Sequence, residues 1–279
     1  MIDSAKLHEI RLRGDVRPED FTGSDTERIE QALALCARYS VGRVKLTGSY
    51  TVTRSLVLPQ DIDFVLDHAV LTGPADAPVL VNQAYADSAR NSWALQDDFV
   101  RVTALDGEIR GDVLLHNVSH LVLDGLRVFG TVRLEYVWEA RLTDLTLTAP
   151  VGLVIGRSCN NFIVQRLETK GEIGVLLDSG ASVGEAVIAK EPEIHEIILQ
   201  DSRFDATAAG VQLVSDGKVQ LFNLQMDHLS STLDTIVVGR AGESVPEKLY
   251  FNLTGVELSS DRGETVRLNN GVKSAYWGD

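Results

Sequence analysis

Leu121-Val-Leu-Asp-Gly-Leu-Arg-Val128, followed after a short gap by Val132-Arg-Leu134, is the stretch whose reading decides the fold. Apolar side chains take alternate positions, Leu121 and Leu123, then Leu126 and Val128, then Val132 and Leu134, as in strands that bury one face. Asp124-Gly125 supplies the polar and small residues of a tight bend, and Gly130 precedes the third strand. The template returns downstream: Leu142 to Leu147 with Leu153-Val-Ile155, Phe162 to Thr169 with Val175-Leu-Leu177, Ile197 to Phe204 with Val211-Gln-Leu213, Val219 to Met226 with Ile236-Val-Val238, and Phe251 to Leu258 with Val266-Arg-Leu268. Upstream, Phe64 to Leu71 with Val79-Leu-Val81 and Val102 to Ile109 with Val113-Leu-Leu115 bring the total to about eight coils. The bend position reads His68, Asp106, Gly125, Asp144, Arg166, Asp201, Asn223 and Gly255. Coil starts at 121, 140, 162, 197, 219 and 251 are 19, 22, 35, 22 and 32 residues apart, so a regular core sends out loops of variable length. Leucine-rich repeats would keep a fixed period and place a helix in every unit, which this chain does not. The repeat predicts an all-β chain wound as a single-stranded, right-handed parallel β-helix with coils over residues 43–268.

Ahead of the coils, Ser24-Asp-Thr-Glu27 has the spacing of a capping box. Ile29, Ala32, Leu33, Cys36 and Ala37 then recur on one helical face, and Gly42 is a natural stop. This predicts an N-terminal amphipathic capping helix over 24–41. Two long excursions, 82–98 and 179–195, interrupt the coils. The 279 residues contain no linker-like composition shift, so a single domain over 1–279 is expected, since a solenoid adds core along its axis.

Two further stretches bear on kinship. Phe21-Thr-Gly-Ser-Asp-Thr-Glu-Arg-Ile-Glu-Gln-Ala-Leu33, then Arg43-Val-Lys-Leu-Thr-Gly-Ser-Tyr-Thr-Val52 and Ser55-Leu-Val-Leu58, resemble the entry module of the pectate-lyase-like β-helix superfamily, weakly continued through the coils to about residue 268. The resemblance implies contact with carbohydrate and leaves the reaction open, because the superfamily spans polygalacturonases, lyases, epimerases and tailspikes. The Asn-Thr-Asp, Asp-Asp, Gly-His-Gly and Arg-Ile-Lys motifs of glycoside hydrolase family 28 are absent; Ile173-Gly-Val175 and Ala206-Thr-Ala208 stand where the first two would fall.

A formal charge of −14 disfavours nucleic acid, anionic membrane and acidic polysaccharide, and favours a neutral partner. The two cysteines, Cys36 and Cys159, form no disulfide framework. Met1 to Gly14 lacks the apolar run of a secretory signal, which points to the cytoplasm for the chain as given, or to secretion or a virion if a leader was removed. None of the six histidines has metal-ligand spacing, and no metal or cofactor is expected.

Stacked coils place equivalent side chains ~4.8 Å apart. The outward position after the third strand reads Asn82, His116, Glu135, Gly156, Asp178, Val214, Gly239 and Asn269, with Asp112 beside His116 and Arg133 beside Glu135. Glu135 and Asp178, two coils apart at roughly 9.6 Å, are the candidate catalytic pair, near the ~6.5–9.5 Å that admits a water in inverting glycoside hydrolysis. Asn82, Asp112, His116, Arg133, Arg157, Tyr136 and Trp138 are candidate substrate-binding residues, with Tyr85 and Trp93 as further aromatics; the plainer alternative is a solvated polar sheet face. The file Leu114, Val154, Leu176 and Val237 would be out of place in water, and a loop or a neighbour in a homotrimer would cover it. The combined expectation is a carbohydrate-active β-helix, a glycoside hydrolase or lyase acting through outward carboxylates on a poly- or oligosaccharide. The alternative is a non-catalytic glycan-binding or structural module of the phage-tail or surface-appendage type.

Overall fold

Alternating apolar positions become straight files of buried side chains. The structure, a computed structural model, describes residues 4–39, 41–86, 97–179, 193–214, 221–239 and 258–268. Its strands pair in parallel with those one coil before and one coil after. Val44, Phe64, Val102, Leu123, Leu142, Val164, Leu199 and Met226 form one such file through seven successive pairings. All eight are buried. A second file runs Leu71, Ile109, Val128, Leu147, Thr169 and Phe204. A third runs Leu115, Leu134, Ile155, Leu177, Leu213 and Val238. The core is the space between the three, and the chain is mostly parallel β structure with few helices.

The bend between the first two strands is left-handed in every described coil after the first, whose bend at Thr47–Gly48 is not. His68, Asp106, Gly125, Asp144, Arg166 and Asp201 have φ between +51° and +68°. Short polar side chains and glycine tolerate this region best, which is why Asp recurs there. Arg166 is the exception, and it lies one coil above Asp144, to which it donates two hydrogen bonds of 2.6 and 2.7 Å. In the next coil His228 occupies the bend with φ 49°. Asn223, expected at this bend, instead lies in the preceding one, in file with Glu139, Asn161 and Glu196. The coil start moves with it: Ile197 pairs with Leu224, 27 residues on, so the copy placed at Val219 is slipped by five residues. Leu258 likewise pairs with Leu229, two places earlier in the template than expected.

Helix α2 spans Asp25–Tyr39, two residues shorter at its end than the expected 24–41. Its capping box is formed, with Glu27 Oε2 accepting from the Ser24 N–H at 2.8 Å and the Glu27 N–H donating to Ser24 Oγ at 3.4 Å. Ile29, Ala32, Leu33 and Cys36 are buried, and the helix packs against the strands Arg43–Leu46, Ser49–Thr51 and Leu56–Leu58. Its first turn is tied to the chain beyond: the Thr51 N–H donates to Asp25 Oδ2 at 2.7 Å and the Thr53 N–H to Thr26 Oγ1 at 3.0 Å.

A helix ahead of it, α1 over Ser4–Arg13, has no counterpart in the sequence reading. It buries a single residue, Ile10, and leaves Leu12 76% exposed, so apolar periodicity does not reveal it. Ionic contacts hold it instead. Arg13 binds both Asp15 and Asp20, Lys6 reaches Asp20 Oδ1 at 3.0 Å, and Arg17 reaches Asp15 Oδ1 at 3.0 Å. Val16 then makes a parallel bridge to Val44, extending the first file by one member. Among the described residues no helix is long and apolar enough to cross a membrane.

Candidate functional site

The third strand of each coil carries the candidate residues. Glu135 is in register with His116. Leu134, Ile155 and Leu177 are in register with one another, which sets Glu135, Gly156 and Asp178 in one outward file, and Asp178 continues to Val214. The two carboxylates therefore lie on the same flank, two coils apart across a residue without a side chain. That separation is about 9.6 Å along the stack.

Exposure departs from expectation. Glu135 and His116 are 0% exposed and Asp178 only 8%. The flank is covered, not solvated. Leu114, Val154 and Val237 of the adjoining aliphatic file are buried as well, within this one chain, so their burial needs no neighbouring subunit, while Leu176 of the same file is half-buried. Part of the cover is α3, Gln83–Ala86, which packs against the strands Leu80–Asn82 and Val113–Asp124.

Within this cover the groups are paired. Arg133, two residues before Glu135 and so on the same face, donates from Nη1 to Oε1 at 3.2 Å. His116 Nδ1 lies 3.7 Å from Glu135 Oε2. The His116 ring meets the edge of Tyr136, with centroids 4.9 Å apart and planes at 66°. Tyr136 itself is buried and left-handed, φ 53°, in register with Asn117, φ 57°. Cys159 lies beneath, its thiol directed at the Leu134 carbonyl at 3.4 Å. Burial pushes that thiol up to about 12, and the nearby Glu135 charge adds to the rise. Cys36 is pushed to about 12 by burial too, so neither is a nucleophile near neutral pH.

Two candidate residues sit elsewhere. Leu80 and Val81 pair with Val113 and Leu114, so Asn82 falls one residue short of the outward file. Its buried amide instead clasps the backbone of His116, accepting from the N–H at 2.9 Å and donating to the carbonyl at 2.7 Å. A side-chain amide here stands in for a ladder peptide, and the role is structural. Asp112 is exposed at the opposite end of the strand from His116, four residues or ~13 Å away, where Oδ1 accepts from the Thr131 N–H at 2.7 Å. Arg157 and Trp138 are half-buried next to the Glu135 flank. Tyr85 is half-buried in α3; Trp93 and most of both long excursions lie outside the described residues. Among the described residues no cluster of three or more His, Cys, Asp or Glu is arranged to hold a metal ion.

A different surface, not singled out by the sequence reading, forms a groove of about 470 Å³ over the first strands of three coils, with Asn161, Glu196 and Asn223 along one side and Ile163, Ile198 and Gln225 along the other. Its signal in sequence is the outward file Arg101, Val122, Arg141, Ile163, Ile198 and Gln225, in which two large aliphatic residues follow one another at Ile163 and Ile198.

Stacked parallel coils with left-handed bends make the fold that of a parallel β-helix. Among solved structures, one from Geobacillus virus E2, ORF18, aligns with a TM-score of 0.56 at 13% identity, over 99% of this chain and 64% of that one. The chain thus spans about two thirds of that viral protein. An endo-xylogalacturonan hydrolase from Aspergillus tubingensis aligns at 0.46 with 12% identity over 94% of this chain and 95% of its own. The tailspike protein of Acinetobacter baumannii phage AM24 aligns at 0.45 with 10% identity over 93% and 55%. At these identities the likeness is one of fold. No protein-family model and no curated protein sequence matches the chain.

Proposed function

We propose that this chain is a single right-handed, single-stranded β-helix domain, closed at its first coil by α2, that holds a neutral carbohydrate without cleaving it. The observation that carries the non-catalytic reading is the complete burial of Glu135 and His116. A general acid must come within hydrogen-bond reach of the glycosidic oxygen, and a carboxylate sealed against Arg133 under its own chain is instead a clamp on the flank. The resemblance of the entry module to the pectate-lyase-like superfamily supports carbohydrate as the ligand. The charge of −14 supports a neutral one.

One observation favours a second, hydrolytic reading: Glu135 and Asp178 share a flank at a spacing near that of inverting glycosidases, with Gly156 leaving room between them. A panel of neutral and acidic oligosaccharides, assayed for binding and for product, separates the two. Saturable binding without product, with Glu135→Gln lowering Tm, is the expected result. Product that is lost in both Glu135→Gln and Asp178→Asn at unchanged Tm would replace it with the hydrolytic mechanism.

A further inference from the structure

The groove over the first strands is built from two straight files. Phe162, Ile197 and Leu224 are in register, so the residues just before them, Asn161, Glu196 and Asn223, stack on successive coils. All three are left-handed, with φ of 57°, 56° and 53°. Beside them Ile163, Ile198 and Gln225 are in register in turn. Ile163 is 41% exposed, an unusual position for a large aliphatic side chain on a sheet face. Each file spans three coils, or about 9.6 Å between its outer members, and the groove runs along the stacking axis.

One coil before the groove its chemistry changes. Arg141 takes the position of Ile163 and Glu139 that of Asn161, with Glu139 paired to His120 at 2.9 Å. At this end of the groove, therefore, charge at Arg141 and Glu139 borders the isoleucine floor. Within it, Asn161, Asn223 and Gln225 each offer a donor and an acceptor, while Glu196 only accepts. No lysine or arginine lines it among the described residues.

We infer that this groove is the place where the neutral carbohydrate is held, an inference that rests on the carbohydrate reading above. A pyranose ring has a C–H face that matches Ile163 and Ile198, and an edge of hydroxyls that both donate and accept, as the facing amides do. Glu196, whose Oε2 lies 3.4 Å from His195 Nδ1, accepts from a hydroxyl but repels a uronate, sulfate or phosphate, and among the described residues no lysine or arginine lines the groove to compensate. A volume of about 470 Å³ is in the usual range for small-ligand sites, and the straight run favours a linear oligosaccharide over a compact metabolite.

The test is calorimetric titration with linear neutral oligosaccharides (gluco-, galacto-, manno- and xylo-series) and with oligouronates as the anionic arm. Wild-type protein is compared with Ile198→Asp, Gln225→Arg and, on the second strand away from both the groove and the Glu135 flank, the exposed Lys170→Ala. Ile198→Asp and Gln225→Arg should each weaken neutral-sugar binding about tenfold or more at unchanged Tm, with Lys170→Ala near wild type. If Ile198→Asp proves unstable, Gln225→Arg decides, since it replaces a partly exposed residue. Binding that neither groove variant weakens overturns the groove and leaves the carbohydrate reading standing. Wild-type protein that binds none of the sugars overturns both. Light scattering that reveals a dimer dissociated by the groove variants would overturn the sugar in favour of a second copy of the chain.

Discussion

Close approach of successive coils fixes single residues more tightly than burial alone, and Gly171 is the sharpest instance. It lies where the strand Glu168–Asp178 shifts register against its neighbour, between Gly171 and Ile173. A Cβ added there would come 1.8 Å from the Ala149 carbonyl oxygen of the coil below. Backbone is on the receiving side, so no rotamer change relieves the clash. Gly171→Ala should therefore destabilise the protein by about 1–3 kcal/mol, read from the midpoint of urea unfolding; an unchanged midpoint would show that the two coils slide apart freely. Gly125 adds a second demand: its bend with φ 68° is shared by Asp, His and Arg in other coils, yet a Cβ there would come 2.4 Å from the Ala104 carbonyl oxygen. The sequence marks both as glycine, and only the stacking shows that backbone of the neighbouring coil stands where each side chain would begin. Glu135 carries a related lesson: its outward parity is readable from Val132, Leu134 and their repeat, whereas its burial depends on what the rest of the chain lays over that flank.

Helices and strands differ in how far their own residues specify them. The link from α1 to the first coil passes through Asp20, whose side chain is 4% exposed and bound by Arg13 and Lys6. Burial alone would raise its carboxyl, but hydrogen bonds from Arg13, the Arg17 N–H and Lys6 outweigh it and hold the group below the ordinary carboxylate range. A depressed folded-state value contributes stability that is complete above the unfolded value, about 3.9, and disappears as pH falls through the lower folded one. Asp20→Asn should accordingly lower Tm at pH 7, and the gap to wild type should narrow as acid protonates the native carboxyl. A gap independent of pH would refute the ionic tether. α2 was legible because Ser24, Glu27 and the Ile29–Cys36 stripe state both its start and its buried face. α1 was not, because charge pairs with Asp15 and Asp20 just beyond its end anchor it and apolar spacing is silent about them. The coil after Ile197 illustrates a third limit. Period-two alternation in Val219 to Met226 is satisfied by more than one register, and the choice falls to the cross-coil pairing of Ile197 with Leu224.

At the scale of the whole molecule, the pairings that define the files join each coil to those on either side of it, so stability is a sum of coil and interface terms along one axis. The consequences of damage should then be local. Leu142 is fully buried in the file between Leu123 and Val164, and truncation to alanine removes contacts with both neighbours at a cost of about 2–5 kcal/mol. In a protein with one cooperative core, every amide that exchanges through global unfolding would speed up together. In this stack the loss should concentrate in the coils around residues 121–169. Amides of the first coils, in the strands Arg43–Leu46 and Ile62–Asp67 beneath α2, should retain their protection. Hydrogen exchange followed by mass spectrometry on Leu142→Ala and wild type decides the matter, since a uniform rise along the chain would mean that the coils unfold as one body. A local response also bears on function, because the groove at Asn161–Gln225 begins one coil beyond Leu142. Leu142→Ala should then weaken sugar binding through loosened positioning of Ile163, while the α2 end keeps its native exchange rates.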